Sequence, residues 1–256
     1  MQQITDIIRT VTEAPFGFCP FESVADKLLD CRAKSRLPQN AKTIIMFAFP
    51  YKVYDEKTKN ISRYAAVPDY HNVCGKILTD IAEKLKEEYN SFGFEAFIDN
   101  SPIPEVYAAA SAGLGVCGRN GLLITKEYGS FVFLGEIVTD MEMNAEIAPF
   151  RDCSLCGACE RACPVGLQKN GCLSAVTQQK KELSKEQSAL ICENGSVWGC
   201  DICQNVCPMN ANTDKTFIDE FKNGYRDCYQ KGEDIENRAY AWRGEKVIMR
   251  NAELFD

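Results

Sequence analysis

Residues 153–166 read CSLCGACERACPVG, and this C-x2-C-x2-C-x3-C-P run constrains the chain more than any other stretch. In a run of this spacing three thiolates wrap one [4Fe–4S] cube while the fourth cysteine ligates another cluster. The run cannot satisfy itself, so it predicts a second one. GCDICQNVCPMN (199–210) supplies Cys200, Cys203 and Cys207, again with a proline, Pro208, behind the last. Crossing the ligands assigns Cys153, Cys156, Cys159 and Cys207 to the first cluster and Cys163, Cys200 and Cys203 to the second. That second cube is one thiolate short, and Cys172 and Cys192 are the intervening candidates. The alternative is zinc, since paired C-x2-C knuckles also build tetrahedral sites. Zinc knuckles need neither the third cysteine of the triplet nor the trailing Cys-Pro, so the spacing favours iron–sulfur.

Fourteen cysteines could instead signal disulfides. The start, MQQITDIIRTVTEAPFGF, has neither a basic flank nor a sustained apolar run, and no segment reaches the ~18 apolar residues of a membrane span. The expected compartment is the cytoplasm, where thiols stay reduced and metal binding accounts better for them. If eight cysteines are ligands, Cys19, Cys31, Cys74, Cys117, Cys192 and Cys228 remain, and buried packing is the expected role of each. A formal charge of −7 argues against broad attraction to nucleic acid or anionic lipid.

The first hundred residues alternate helix and strand signals. Leu28 and Leu29 lie in a predicted helical stretch ending near Leu37-Pro38, and KTIIMFAFP (42–50) is a β-rich run closed by Pro50. Val73, Ile77, Ile81 and Leu85 recur every four residues, predicting an amphipathic helix from Tyr70 to about Phe92. FEAFID (94–99) reads as a strand, 104–112 as a helix, and LLIT (122–125) with FVFLGEIVTD (131–140) as a hairpin. The expected class is α+β: an α/β domain over 1–148, a ferredoxin-like two-cluster domain over 149–210 and a helical tail over 211–256.

Three stretches of the first half carry candidate chemistry. GLGVCG (113–118) matches G-x-G-x-x-G, but a dinucleotide fingerprint follows a strand, whereas VYAAASA before it is helical in character. These glycines read instead as a turn whose backbone passes close to something bulky. SRYAAVPDYH (62–71) gathers Arg63, Tyr64, Asp69, Tyr70 and His71, the sole histidine; Asp69 reads equally as a helix cap and His71 as a solvated first-turn residue. Asp99, in DNSPIP, either shapes a proline turn or stands as an acid at a strand's end.

SRYAAVPDYH, DNSPIPEVYAAASAGLGVCGRNGLLI, GSFVFLGEI (129–137) and the two cysteine runs, taken in this order, resemble the epoxyqueuosine reductase family, cobalamin- and iron–sulfur-dependent enzymes of queuosine-tRNA synthesis related to reductive dehalogenases. The likeness spans most of 40–210. It implies a corrinoid held by the N-terminal domain, with Arg63, Tyr64, Gly113, Gly115, Gly118, Arg119 and Asn120 around it. It also implies Asp99 as proton donor, with Tyr70 and His71 near the cobalt's open face. In that family a cysteine followed by a short helix lies between the two runs; CLSAVTQQ looks like it, which favours Cys172. Low-potential electrons would come from a partner such as a ferredoxin or flavodoxin.

The departures matter too. AWRGEKVIMRNAELFD looks like the opening of the family's helical-repeat tRNA-binding domain, most of which does not follow, and with the acidic charge this disfavours tRNA against a smaller or nucleoside substrate. The family's arginine after Glu105, its tryptophan-isoleucine pair at Val116-Cys117 and its lysine at Arg119 are also replaced. Two other readings stay open: an electron-transfer module serving a corrinoid protein, and a protein that reduces cobalamin itself.

Overall fold

A strand buried at every position needs a partner on both edges and cover on both faces. The run at 43–50 has both in the computed structural model, which describes residues 1–168 and 171–256. It forms β2 (Thr43–Pro50), paired antiparallel with β1 (Phe16–Pro20) on one edge and β6 (Val132–Thr139) on the other; β3 (Phe94–Ile98) completes the order β1-β2-β6-β3. Side chains alternate between faces. On one face α3 (Tyr70–Glu88) lies against β3 and β6, so closely that a Cβ on Gly135 would sit 2.7 Å from Leu78 Cδ1. On the other face α4 (Glu105–Ser111) covers β1, β2 and β6, and Ala108, Ala109 and Ala110 pack with Ile44, Met46, Phe97 and Val138. The first helix, α1 (Gln2–Arg9), packs on α3.

Helix α3 stops at Glu88, short of the expected Phe92, and its buried stripe is Cys74, Leu78, Ile81, Ala82 and Leu85, with Val73 and Ile77 half-buried at its flank. Two expectations are corrected. LLIT and FVFLGEIVTD are not a hairpin: β5 (Leu123–Ile124) pairs with β4 (Val116–Cys117), while β6 is a central strand whose two edges are taken by β2 and β3. Leu28 and Leu29 lie in no helix; the region folds as short 3-10 turns, and the Leu29 N–H donates to the Pro102 carbonyl at 2.8 Å. That tertiary bond takes the donor a helix would have used.

These elements belong to one compact unit, Met1–Pro50 with Tyr70–Cys153; Tyr51–Asp69 with Ser154–Asp256 form a second. The division differs from the expected 1–148, 149–210 and 211–256. The chain leaves β2 at Pro50, contributes α2 (Arg63–Ala66) to the second unit, and returns at Tyr70. The second unit also holds α5 (Ala158–Ala162), α6 (Leu173–Gln178), α7 (Lys185–Asn194), α8 (Ile202–Asn205), α9 (Asp219–Asn223) and α10 (Glu245–Ala252). Residues 211–256 are no loose tail. Val247, Ile248 and Ala252 of α10 share a core with Ile61, Ala65, Trp198 and Tyr240. Buried Asn251 donates to the carbonyls of Thr177 (2.7 Å) and Val197 (2.8 Å), stitching the C-terminal helix to two other segments. No helix among the described residues is long and apolar enough to cross a membrane.

Candidate functional site

In the first unit, the end of β3 and the start of α3 bring three expected groups together. His71 Nε2 lies 3.2 Å from Asp99 Oδ2, and the Tyr70 hydroxyl also bonds the Asp99 carboxylate. Tyr70 is itself fixed between two rings, stacked on His71 and on Phe133 at 4.2 Å each. The His71 bond, ahead of the one from Tyr70, holds the Asp99 carboxyl below the ordinary carboxylate range, against a smaller opposing effect of burial. At neutral pH Asp99 is therefore a carboxylate, hydrogen-bonded to two groups able to carry a proton. His71 also lines a cleft of about 300 Å³ with Arg36, Gly75, Thr79, Ile98 and Asn100.

Asp99 has φ +58°, a left-handed conformation that a non-glycine residue adopts only when its surroundings impose it, although Asp tolerates it better than most. Two glutamates behind the turn were not singled out from the sequence. Glu136, fully buried on β6, stands between Met46 of β2 and Phe97 of β3. Burial pushes its carboxyl up to about 8, with Ser101 opposing. Glu105, at the start of α4, is raised well above its ordinary value by burial, then by Glu136 and Asp99. A glutamate inside FVFLGEIVT was the available signal, because a lone carboxyl in an otherwise apolar strand has nowhere to go but inward.

The residues expected around a corrinoid fare differently. Arg63 is buried in the second unit, its backbone N–H 2.7 Å from Asp201 Oδ2 and its guanidinium bonded to Asn205 and the Asp55 carbonyl. Tyr64 accepts a 2.8 Å bond from Trp198 Nε1. These two residues brace the loop carrying Cys200. Gly115 and Gly118 are spent on close packing: added Cβ atoms would lie 2.4 Å from the Ile124 carbonyl and from Asn120 Oδ1 respectively. The bulky object beside this turn is the chain's own β5 segment. Asn120 Oδ1 also accepts the Leu122 N–H within its own turn, while Gly113 and Arg119 lie exposed. Arg63 and Tyr64 thus belong to the second unit and the glycine turn to the first, and most of these residues are engaged within their own unit.

Beyond Cys153, the last residue of the first unit, the cysteine runs fold as two similar loops in the second unit. Each places its next-to-last thiol on a short helix, Cys159 on α5 and Cys203 on α8, and these helices pack together. Each ends at a cysteine before proline, where the helical conformation is disfavoured. Six of the thiols feel one another's charge in two sets of three. Burial raises Cys207, with its Met209 amide opposing and repulsion from Cys156 and Cys159 adding to it. Burial pushes Cys200 up to about 12, with its Ile202 amide opposing and Cys203, Asp201 and Cys172 adding to it. The Ala158 amide, first among several groups, pulls Cys156 down. Thus Cys156, Cys200 and Cys207 each receive an amide from two residues onward, the donor pattern that stabilises sulfur carrying negative charge. Cys172 stands at the head of α6 beside Cys200, whereas Cys192 is exposed on α7 with its thiol 3.6 Å from the Leu254 carbonyl. Cys153 donates its amide to the Cys117 carbonyl at 3.1 Å, and Cys163 closes α5. Among the described residues, no three His, Cys, Asp or Glu side chains close on one ion-sized point. Of the six remaining cysteines only Cys19 and Cys74 are fully buried, which corrects the expectation that all six are core residues.

A family model described as epoxyqueuosine reductase QueG, DUF1730, matches residues 32–100. The epoxyqueuosine reductase of Lactococcus garvieae is 34% identical over 253 residues, covering 88% of this chain and 72% of that one. A solved epoxyqueuosine reductase, in complex with an epoxyqueuosine-modified tRNA-Tyr stem loop, matches with TM-score 0.82 and 26% identity over 99% of this chain and 80% of its own. A reductive dehalogenase shares the fold more distantly, with TM-score 0.53 and 14% identity over 98% of this chain and 35% of its own. With mixed α/β architecture, the acid turn and the paired cysteine loops all in the order that the resemblance requires, the chain belongs to the epoxyqueuosine reductase family and is an enzyme of that type.

Proposed function

We propose that this enzyme reductively removes the oxygen of an epoxide on a modified nucleoside carried by tRNA, using electrons relayed through two [4Fe–4S] clusters. The conversion of an epoxide to an alkene takes two electrons and two protons and releases water. The observation that carries the reading is the Asp99, His71 and Tyr70 set, because a pure electron carrier has no use for a bonded acid group. Asp99 takes up a proton from its bonded neighbours and delivers it to the leaving oxygen, a role worth typically 10²–10⁴ in rate.

The first cluster's ligands are Cys153, Cys156, Cys159 and Cys207, and the second's are Cys163, Cys172, Cys200 and Cys203. The two thiol groups and their amide donors fit such clusters, and the thiol beside Cys200 supports Cys172 over Cys192. When bound, the clusters supply single electrons at low potential, received from a ferredoxin- or flavodoxin-type donor. Cobalamin is the cofactor that the resemblance implies for the reducing step; the residues nominated to hold it are largely engaged elsewhere, so no step is derived through it. A tRNA substrate, disfavoured by the acidic charge, regains its place from the relative solved with a modified stem loop.

The test is anaerobic reconstitution with iron, sulfide and cobalamin, followed by turnover of an epoxyqueuosine-modified stem loop with a reduced donor. Asp99→Asn is expected to lower turnover by about 10²–10⁴ with cluster spectra unchanged. Wild-type turnover in that variant would sink the acid assignment, and cluster signals without any turnover by the wild-type protein would turn the reading to an electron carrier.

A further inference from the structure

Two buried carboxyls meet the Asp99 turn from behind, and the proton chemistry described above uses neither. Glu105, from the first turn of α4, accepts the backbone N–H of Asp99 itself. Glu136, from the middle of β6, accepts the hydroxyl of Ser101, two residues further on. Between these two holds the turn is internally tight. The Ser101 N–H donates to the Asp99 carbonyl at 2.5 Å, and the Ser101 hydroxyl oxygen accepts the Ile103 N–H at 3.0 Å.

Neither glutamate is an economical way to build a core. Glu136 has no exposed surface and lies among Met46, Phe97 and the alanines of α4. Glu136 Oε2 and Glu105 Oε1 are both buried without a hydrogen-bond partner. An unsatisfied buried polar atom is destabilising, and apolar replacements of such groups are often neutral or stabilising. What the two residues provide is aim: they grip the turn of Asp99, a non-glycine residue held at φ +58°.

We propose that Glu105 and Glu136 are positioning residues for Asp99, two inward carboxyls that clasp the 99–103 turn at its first amide and at its serine and so hold the Asp99 side chain on His71 and Tyr70. The proposal rests on the reading of Asp99 as the group that hands over the proton. Both holds need an acceptor oxygen, not a charge. Glutamine therefore keeps them, and methionine, of similar length, fills the space without them.

Glu105→Met and Glu136→Met are each expected to lower kcat by about 10–100-fold, the scale of a catalytic group displaced by about 1 Å, with KM changed less than about threefold. Glu105→Gln and Glu136→Gln stay within about fivefold of wild type. In the methionine variants, hydrogen exchange in the 99–103 segment quickens at least about tenfold while β2 and β6 keep their protection. A simple space-filling role would leave that local exchange unmoved. Should a methionine variant fail to fold, Ser101→Ala, which leaves Glu136 in place and removes the donor to it together with the acceptor of the Ile103 N–H, is expected to show the same local exchange and the same fall in kcat. Wild-type kcat and turn exchange in the methionine and alanine variants, or glutamine variants as impaired as methionine ones, would overturn the clasp. The underlying reading is scored separately. An inactive Asp99→Asn with fully active clasp variants sinks the clasp alone, whereas an active Asp99→Asn sinks the acid assignment, and the exchange measurement still decides whether the turn is held.

Discussion

The thiols of the second unit lie on two loops that repeat one local pattern, each with a short helix, an amide donor two residues beyond a thiol, and a closing Cys-Pro. The acid site of the first unit is assembled differently. Tyr70 and His71 come from α3, Asp99 follows β3, Glu105 opens α4 and Glu136 lies at the centre of β6. A ligand set for a cluster can be written into a dozen consecutive residues because the cluster itself organises the loop around it. A group that handles protons needs an environment that tunes and aims it, and only elements distant in sequence can surround it on several sides. The first region is modular, the second woven into the sheet.

Removing a ligand tests the modular side and gives the largest effect. Cys207→Ala is expected to lose the first cluster, reducing bound iron by about half of the roughly eight atoms that two cubes hold, whereas Cys192→Ala leaves iron unchanged. Iron and sulfide analysis with paramagnetic resonance of the reduced protein reads both. An equal loss in the two variants would mean that the pairing of loops is misassigned.

Arg63 shows where even the modular side needs distant help. Its buried guanidinium lies 3.8 Å from Asp201, which sits between Cys200 and Cys203. Burial pushes the Asp201 carboxyl up and Arg63 opposes it. Arg63→Leu leaves that acid buried without its cation, and the expected destabilisation is about 3–5 kcal/mol. Thermal unfolding under anaerobic conditions measures it. A loss below about 1 kcal/mol would place Arg63 with ordinary surface pairs.

On the woven side, Glu136 predicts a pH dependence of stability. With a folded value near 8 against an ordinary 4.5, the folded chain keeps a proton across that window which the unfolded chain releases. Stability is therefore full below about 4.5, falls as pH rises toward 8 and levels off above it. The slope is on the order of 1 kcal/mol per pH unit, and Glu136→Gln removes it. Glu105, also raised by burial, shares in the effect, while Cys19, pushed up to about 11 chiefly by burial, stays neutral throughout.

Asp99 gives the smallest effect, with the opposite sign. Its folded value is depressed, so the stability it contributes is complete above the ordinary carboxylate value of 3.8 and is lost as pH falls through the lower folded value. Its side chain is 58% exposed, which limits the contribution to less than about 1 kcal/mol. Comparing acid unfolding of wild type and Asp99→Asn isolates it.

Much of this was legible beforehand, unevenly. The cysteine spacing, the β2 run and the stripe of α3 could be read because each is short-range and periodic. The joining of Asp99 to His71 and Tyr70 followed from resemblance, not from spacing. FVFLGEIVTD looked like half of a hairpin because its nearest neighbour in sequence was another strand, yet its partners are β2 and β3. Arg63 and Tyr64 stood beside Tyr70 and His71 in sequence and were grouped with them, but the chain changes unit between Asp69 and Tyr70.

The sequence by itself determined which side chains were available and at what local spacing: the thiol runs, the prolines that end their helices, and the alternation and stripes that select strand and helix. Only the tertiary structure decided which carboxyls went inside, which glycines were consumed by packing, and which cysteine stands beside Cys200. The reason is physical. Spacing along a chain controls neighbours within a few residues, whereas burial, repulsion between like groups and the partner of a buried amide depend on whatever segment arrives from elsewhere, and a linear pattern carries no term for that.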